Sequence, residues 1–177
     1  MDERERARMR AAIDAAEGRG PAPDLSDASL RALFAETRTI AIVGASPRPD
    51  RPSHGVLLAL AAAGWKILPV NPAPAALADG IAGLPCYPSL SAAAASLPHG
   101  ERIDLVDVFR RPEECAEVTR EAVTVSARWI WLQLGIIDEE SAHIAADAAI
   151  PFVQDRCTAI EVARLGLRAP LGEPRSA

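Results

Sequence analysis

Several features are missing from this chain of 177 residues, and each absence narrows what it can be. No apolar run reaches the length of a membrane-spanning helix, and the charged residues 1–10 hold no signal-peptide core. The three cysteines, Cys86, Cys115 and Cys157, form no CxxC spacing. That argues against a disulfide framework and for a reducing cytoplasm. His54, His99 and His143 are far apart and show no zinc-ligand pattern with the cysteines, so no metal site is expected. Lysine is almost absent, with Lys66 alone among 19 cationic residues. The net charge is −5, whereas a domain that grips nucleic acid is usually basic.

What is present is an ordinary globular composition, 49% hydrophobic and 24% charged, long enough for one domain with a real core. Five apolar runs read as strands: 39–43 (TIAIV), 66–70 (KILPV), 104–109 (DLVDVF), 128–133 (RWIWLQ) and 151–154 (PFVQ). They do not alternate cleanly between apolar and polar, as expected of parallel strands covered on both faces. Helical patterns lie between them. Ser26 or Asp27 can cap a helix over 28–36, and residues 56–63 close at Gly64. Pro112 can open another helix and Asp138 cap the next, with a short last one over 159–165. Residues 72–100 break the rhythm: they are proline-rich, with only a weak helix over 89–96 and an extended piece over 84–87. The spacing predicts an α/β fold, a Rossmann-like, doubly wound and mostly parallel five-stranded sheet with helices on both faces. The domain is expected over 26–166, preceded by a charged helical extension (1–25) and followed by a flexible tail (167–177).

Such a sheet binds ligands beyond the carboxyl ends of its strands, where the strand order reverses. The first of those ends reads GASPRPDRPS. Gly44 lets backbone amides approach a phosphate, and the helix after Ser53 points its positive end into the same space. Ser46 and Ser53 can donate hydroxyl hydrogen bonds, and Arg48 and Arg51 can pair phosphate oxygens. Arg48 reads equally well as a solvated loop residue. The further glycines of a dinucleotide fingerprint are absent. The second strand ends in Val70, Asn71 and Pro72, without the carboxylate that holds the ribose of NAD. Trp129 and Trp131 share one strand face and belong to the core.

Six segments together carry a resemblance: IVGASPRPDRPSHGV, GWKILPVNP, GLPCYPSL, DLVDVFRRPE, WIWLQLGI and QDRC. In this order and spacing, over about residues 30–166, they resemble the small stand-alone CoA-binding domain proteins. That domain is similar to the CoA-binding part of the succinyl-CoA synthetase α subunit. The resemblance implies a Rossmann-like fold and coenzyme A as ligand, with no established reaction for stand-alone members. It implies a diphosphate loop at Gly44, Ala45, Ser46 and Arg51, and an adenosine-pocket wall at Val70, Asn71 and Pro72. The opposite loop falls at Phe109, Arg110, Arg111 and Pro112. A 3′-phosphate besides the diphosphate suits a longer, arginine-bearing loop. His54 departs from the aromatic or small residue usual at its position. Gln133 bonds either the pantetheine amides or a neighbouring loop.

The leading expectation is a cytoplasmic protein that binds CoA or an acyl-CoA, with no nucleic-acid or membrane partner. A homodimer or a protein partner could form through residues 1–25. A second reading is an enzyme or enzyme subunit in acyl-CoA ligation, or in CoA-thiol transfer at Cys157, where Arg156 can favour the thiolate. Against it stands the lack of a Ser-His-Asp set and of paired carboxylates with catalytic roles. A third, an adenine or nicotinamide nucleotide sensor, is disfavoured by the missing carboxylate after the second strand.

Overall fold

Five short apolar runs pair into one sheet: β1 (Thr39–Val43), β2 (Lys66–Val70), β3 (Leu105–Val108), β4 (Trp129–Leu132) and β5 (Phe152–Val153). The computed structural model describes residues 25–73 and 79–171. The extension expected over 1–25 therefore lies outside the described residues, Leu25 excepted. Every pairing is parallel and the order is β2-β1-β3-β4-β5. All strand residues but Lys66 are buried. That explains the unbroken apolar runs, since helices cover both faces.

Six helices cover the sheet among the described residues: α1 (Asp27–Glu36), α2 (Pro52–Ala62), α3 (Leu90–Ala95), α4 (Pro112–Thr124), α5 (Glu139–Asp147) and α6 (Thr158–Leu165). Leu30 and Phe34 of α1, Val56, Leu57 and Leu60 of α2, and Val162 and Leu165 of α6 pack with Ile40, Ile42, Leu105, Trp129 and Trp131. On the other face, residues of α3, α4 and α5 pack with Ala41, Val43, Val106, Val108, Ile130 and Leu132. The alternation of strand residues between these two cores is the doubly wound fold that the sequence implies. Phe34, Trp129 and Trp131 cluster edge to face: the Phe34 and Trp129 centroids lie 4.8 Å apart. Both strand tryptophans are thus core, with indole N–H groups donating to Thr37 Oγ1 and to Arg156 O.

Local signals explain the helix ends. Ser26 and Asp138 cap α1 and α5 through their side chains, and Pro112 occupies the first turn of α4. The second helix begins at Pro52, four residues before the apolar pattern does. Proline pre-sets the backbone for a first helical turn, so the polar Pro52-Ser53-His54 is helical despite its loop-like composition. The edge strand β2 tolerates Pro69, and residues 84–87 shield it: Tyr87 N donates to Pro69 O and Asn71 N to Tyr87 O. No helix among the described residues is long and apolar enough to cross a membrane.

The order β2-β1-β3 puts the reversal between β1 and β3. The loop after β1 runs to one side and the loop after β3 to the other, opening a crevice at their carboxyl ends.

Candidate functional site

Gly44 leaves β1 at φ +85°, and a Cβ built there would lie 2.6 Å from Phe109 O. The loops after β1 and β3 therefore touch backbone to backbone at the crevice, an approach only glycine permits. The loop after β1 is tied down along its length. Gly44 N and Ala45 N both donate to Val70 O. Asn71 Nδ2 donates to Ala45 O at 2.7 Å, and His54 Nδ1 lies 2.9 Å from Ser46 O. Ser46 Oγ accepts from Arg48 N, and Arg48 pairs with Asp50. His54, the departure from the usual residue at its position, thus anchors the loop from the first turn of α2. Arg48 is an exposed loop residue held by its neighbour.

The loop delivers the chain into α2, whose N-cap, Arg51, makes no side-chain capping bond. Pro52 has no N–H, while Arg51 N donates to Arg48 O and His54 N to Arg51 O, so Ser53 N is the amide left open at this start, with the positive end of the helix dipole behind it. Arg51 is exposed and has no ion pair among the described residues. Ser53 is buried, yet its hydroxyl has no protein partner there. Every enclosed side-chain polar atom among the described residues is satisfied, so this hydroxyl opens onto space.

That space is a cavity of about 550 Å³, within the range typical of small-molecule sites. Gly44, Ser46, Arg51 and Ser53 line it on the β1–α2 side, and Phe109, Gln133 and Cys157 from the neighbouring strand ends. Val56, Ile136 and the exposed Leu134 and Ile160 make the rest largely apolar. Seven residues singled out from sequence thus meet in one cavity: Gly44, Ser46, Arg51, Ser53, Phe109, Gln133 and Cys157. The others stand behind or beside it. Ala45, Val70 and Asn71 brace the loop, and Pro72 is exposed at the end of β2. Arg110 and Arg111 both pair with Glu114, and Pro112 starts α4.

Gln133 meets neighbouring residues rather than a loop. Its Nε2 donates to Asp107 Oδ1 and to Thr158 Oγ1, each at 2.6 Å, while Thr158 Oγ1 donates to Asp107 Oδ2 at 2.9 Å. All three residues are buried. Burial pushes the Asp107 carboxyl up to about 7, against the opposing pull of the bonds from Gln133 and Thr158. Asp107 and Thr158 went unmarked in the sequence, although a carboxylate inside an otherwise apolar strand was the visible signal.

Cys157 caps α6 without a side-chain bond and is half-buried at the cavity wall. Arg156, the cation expected to act on it, turns to Glu161 and to Leu25 O. Burial pushes the Cys115 thiol up to about 11 and raises that of Cys86 as well.

These features define a Rossmann-like domain with a rigid glycine loop and a cavity at its strand-order reversal. The chain belongs to the CoA-binding domain family, whose model matches residues 38–163. It is 33% identical over 132 residues to the uncharacterized protein YneT of Bacillus subtilis, a match covering 75% of this chain and 90% of that one. Among solved structures, cell-free ID.343 from Thermus thermophilus is 35% identical with a TM-score of 0.70, covering 80% of this chain and 99% of that one. A hypothetical protein from Pyrococcus horikoshii is 31% identical at TM-score 0.70, covering 81% and 94%.

Proposed function

We propose that this protein is a cytoplasmic binder of coenzyme A or an acyl-CoA, using the cavity between β1 and β3. The observation that carries the reading is the loop from Gly44 to Ser53. It joins a glycine approach, a helix start without a side-chain cap and an arginine with no ion pair among the described residues, at one edge of a largely apolar cavity. Phosphates suit Ser53 N at the positive end of α2 together with Arg51, and an uncharged arm suits the apolar wall. Adenosine falls between Val70–Pro72 and the loop of Phe109 to Pro112. Asn71 spends its side chain on Ala45 O and Ala73 N, which leaves no acid for a ribose diol.

Calorimetric titration with CoA, ADP and NAD tests the reading. CoA is expected to bind with clear preference, and equal or tighter NAD binding overturns it. A second reading, CoA-thiol transfer, draws on Cys157, which opens onto the same cavity.

A further inference from the structure

Asp107, Gln133 and Thr158 form a closed polar triangle under the cavity, and the roles within it are forced. An ionised carboxylate only accepts, and Thr158 gives its single proton to Asp107 Oδ2. The atoms that remain for Gln133 are both acceptors, so its NH2 must face them and spend both hydrogens there. Its carbonyl Oε1 is left without a partner among the described residues. Enclosed polar atoms there are all satisfied, and Gln133 lines the cavity at 3% exposure. The unpaired oxygen therefore opens into the cavity.

We propose that Asp107 is a positioning residue that sets, through Gln133, the hydrogen-bond polarity of the cavity's inner wall. With the carboxyl ionised, the wall offers a carbonyl and takes a ligand segment bearing an amide N–H. With the carboxyl protonated, the Gln133 amide turns over to accept from it, and the wall offers N–H2 to an acceptor instead. The inference rests on the CoA reading in one respect: the pantetheine arm supplies secondary amides of the required kind.

The surroundings isolate this carboxyl. Its register neighbours are Ile42 on β1 and Trp131 on β4. The helices over this face present Leu30 and Phe34 from α1, and Val56, Leu57 and Leu60 from α2. From α6 comes Thr158, while Glu161 one turn on is held by Arg156 and Arg164. The titratable groups bordering the cavity are Arg51 and Cys157, with His54 behind the loop. Burial leaves Asp107 balanced at about 7, so both wall states are populated near neutrality.

Two measurements test this. In the first, the Gln133 side-chain amide resonances of the wild-type protein are followed by NMR from pH 6 to 8.5 without ligand. They are expected to move with a midpoint near 7, and to stay fixed in Asp107→Asn. The second titrates dephospho-CoA, which keeps the arm but lacks the 3′-phosphate that itself ionises in this range. Wild-type affinity is expected to fall about two- to twelvefold from pH 8.5 to 6, the worth of one neutral hydrogen bond. Asp107→Asn should lose that dependence. Unmoving Gln133 resonances in the wild type overturn the inference, and so does a variant that keeps the wild-type affinity profile. If the resonances titrate but dephospho-CoA never binds, the coupling stands and the CoA reading falls.

Discussion

Replacing Asp107 by Asn should make the protein more stable at alkaline pH, by an amount that depends on pH in a calculable way. The side chain lies wholly inside the sheet, between Ile42 and Trp131, and its carboxyl is raised from the ordinary 3.8 to about 7. A carboxyl whose folded pKa exceeds its unfolded one holds its proton more tightly in the folded state. Its contribution to stability is complete below about pH 4 and is lost as pH climbs through about 7. The gap between 3.8 and about 7, at about 1.4 kcal/mol per pK unit, gives a loss of about 4 kcal/mol by pH 8.5. Asparagine has nearly the same shape, accepts from Gln133 and donates to Thr158, but carries no charge to bury. Urea unfolding of both proteins at pH 4, 6 and 8.5 measures the difference. The advantage of Asp107→Asn should grow by about 2–3 kcal/mol between pH 4 and 6 and by a further 1 or so by pH 8.5. At a typical urea slope the whole effect moves the midpoint by on the order of 2 M. Any fixed penalty from imperfect amide geometry shifts all three values equally and leaves the trend intact. A difference that stays constant with pH refutes the reasoning, because Asp107 would then ionise in the folded state as readily as in the unfolded one.

Three further outcomes are expected. Gly44→Ala should lower stability by about 1–3 kcal/mol, the range for a side chain at positive φ, and abolish ligand binding because the new methyl meets Phe109 O; unchanged urea unfolding would contradict this. Arg51→Ala should weaken CoA more than dephospho-CoA, by about 1.5–3 kcal/mol for a charge-assisted contact; equal losses reassign the arginine to the diphosphate. With CoA disulfide, a Cys157 thiolate attacking one sulfur and releasing CoA thiolate should leave a reductant-sensitive mass adduct that vanishes in Cys157→Ser. An adduct mapped to Cys86 or Cys115 would make Cys157 packing.

The scaffold was legible because its signals are local and repeated. Each strand is a short run whose residues are all buried except Lys66, and five of the six described helices start at a side-chain cap or a proline, α6 at Cys157 being the exception. Gly44 at the end of β1 was legible for the same reason, since a strand feeding a glycine has few structural alternatives. What the pattern hid was pairing across the fold. Gln133 could be seen at a strand end, but its partners lie 25 and 26 residues away, on α6 and β3. Likewise Arg110 and Arg111, expected on the loop opposite the adenosine-pocket wall, are both held by Glu114 of α4. Composition shows which charges exist and leaves open which are already spent.

The distribution of spent and unspent polar atoms separates scaffold from site. Asp104 clamps the entry to β1 by accepting from Arg38 N and Thr39 N, and it sits at the amino end of the sheet, opposite the crevice. Asp107, two strand positions closer to the crevice than Leu105, is equally buried, but its partners connect it to an open wall. A stabilising core would place valine or leucine there, as at Val106 and Val108, and avoid burying a carboxyl at all. A carboxyl at that position lowers stability at neutral and higher pH. What it adds is an orientation for Gln133 that no apolar side chain could impose. The uncapped start of α2, the free Ser53 hydroxyl and the open Gln133 carbonyl follow the same logic. Each is a polar group that the fold could have satisfied internally, and all of them face one cavity. Among the described residues every enclosed side-chain polar atom has a partner, and these open groups lie where the proposed CoA would need donors and an acceptor.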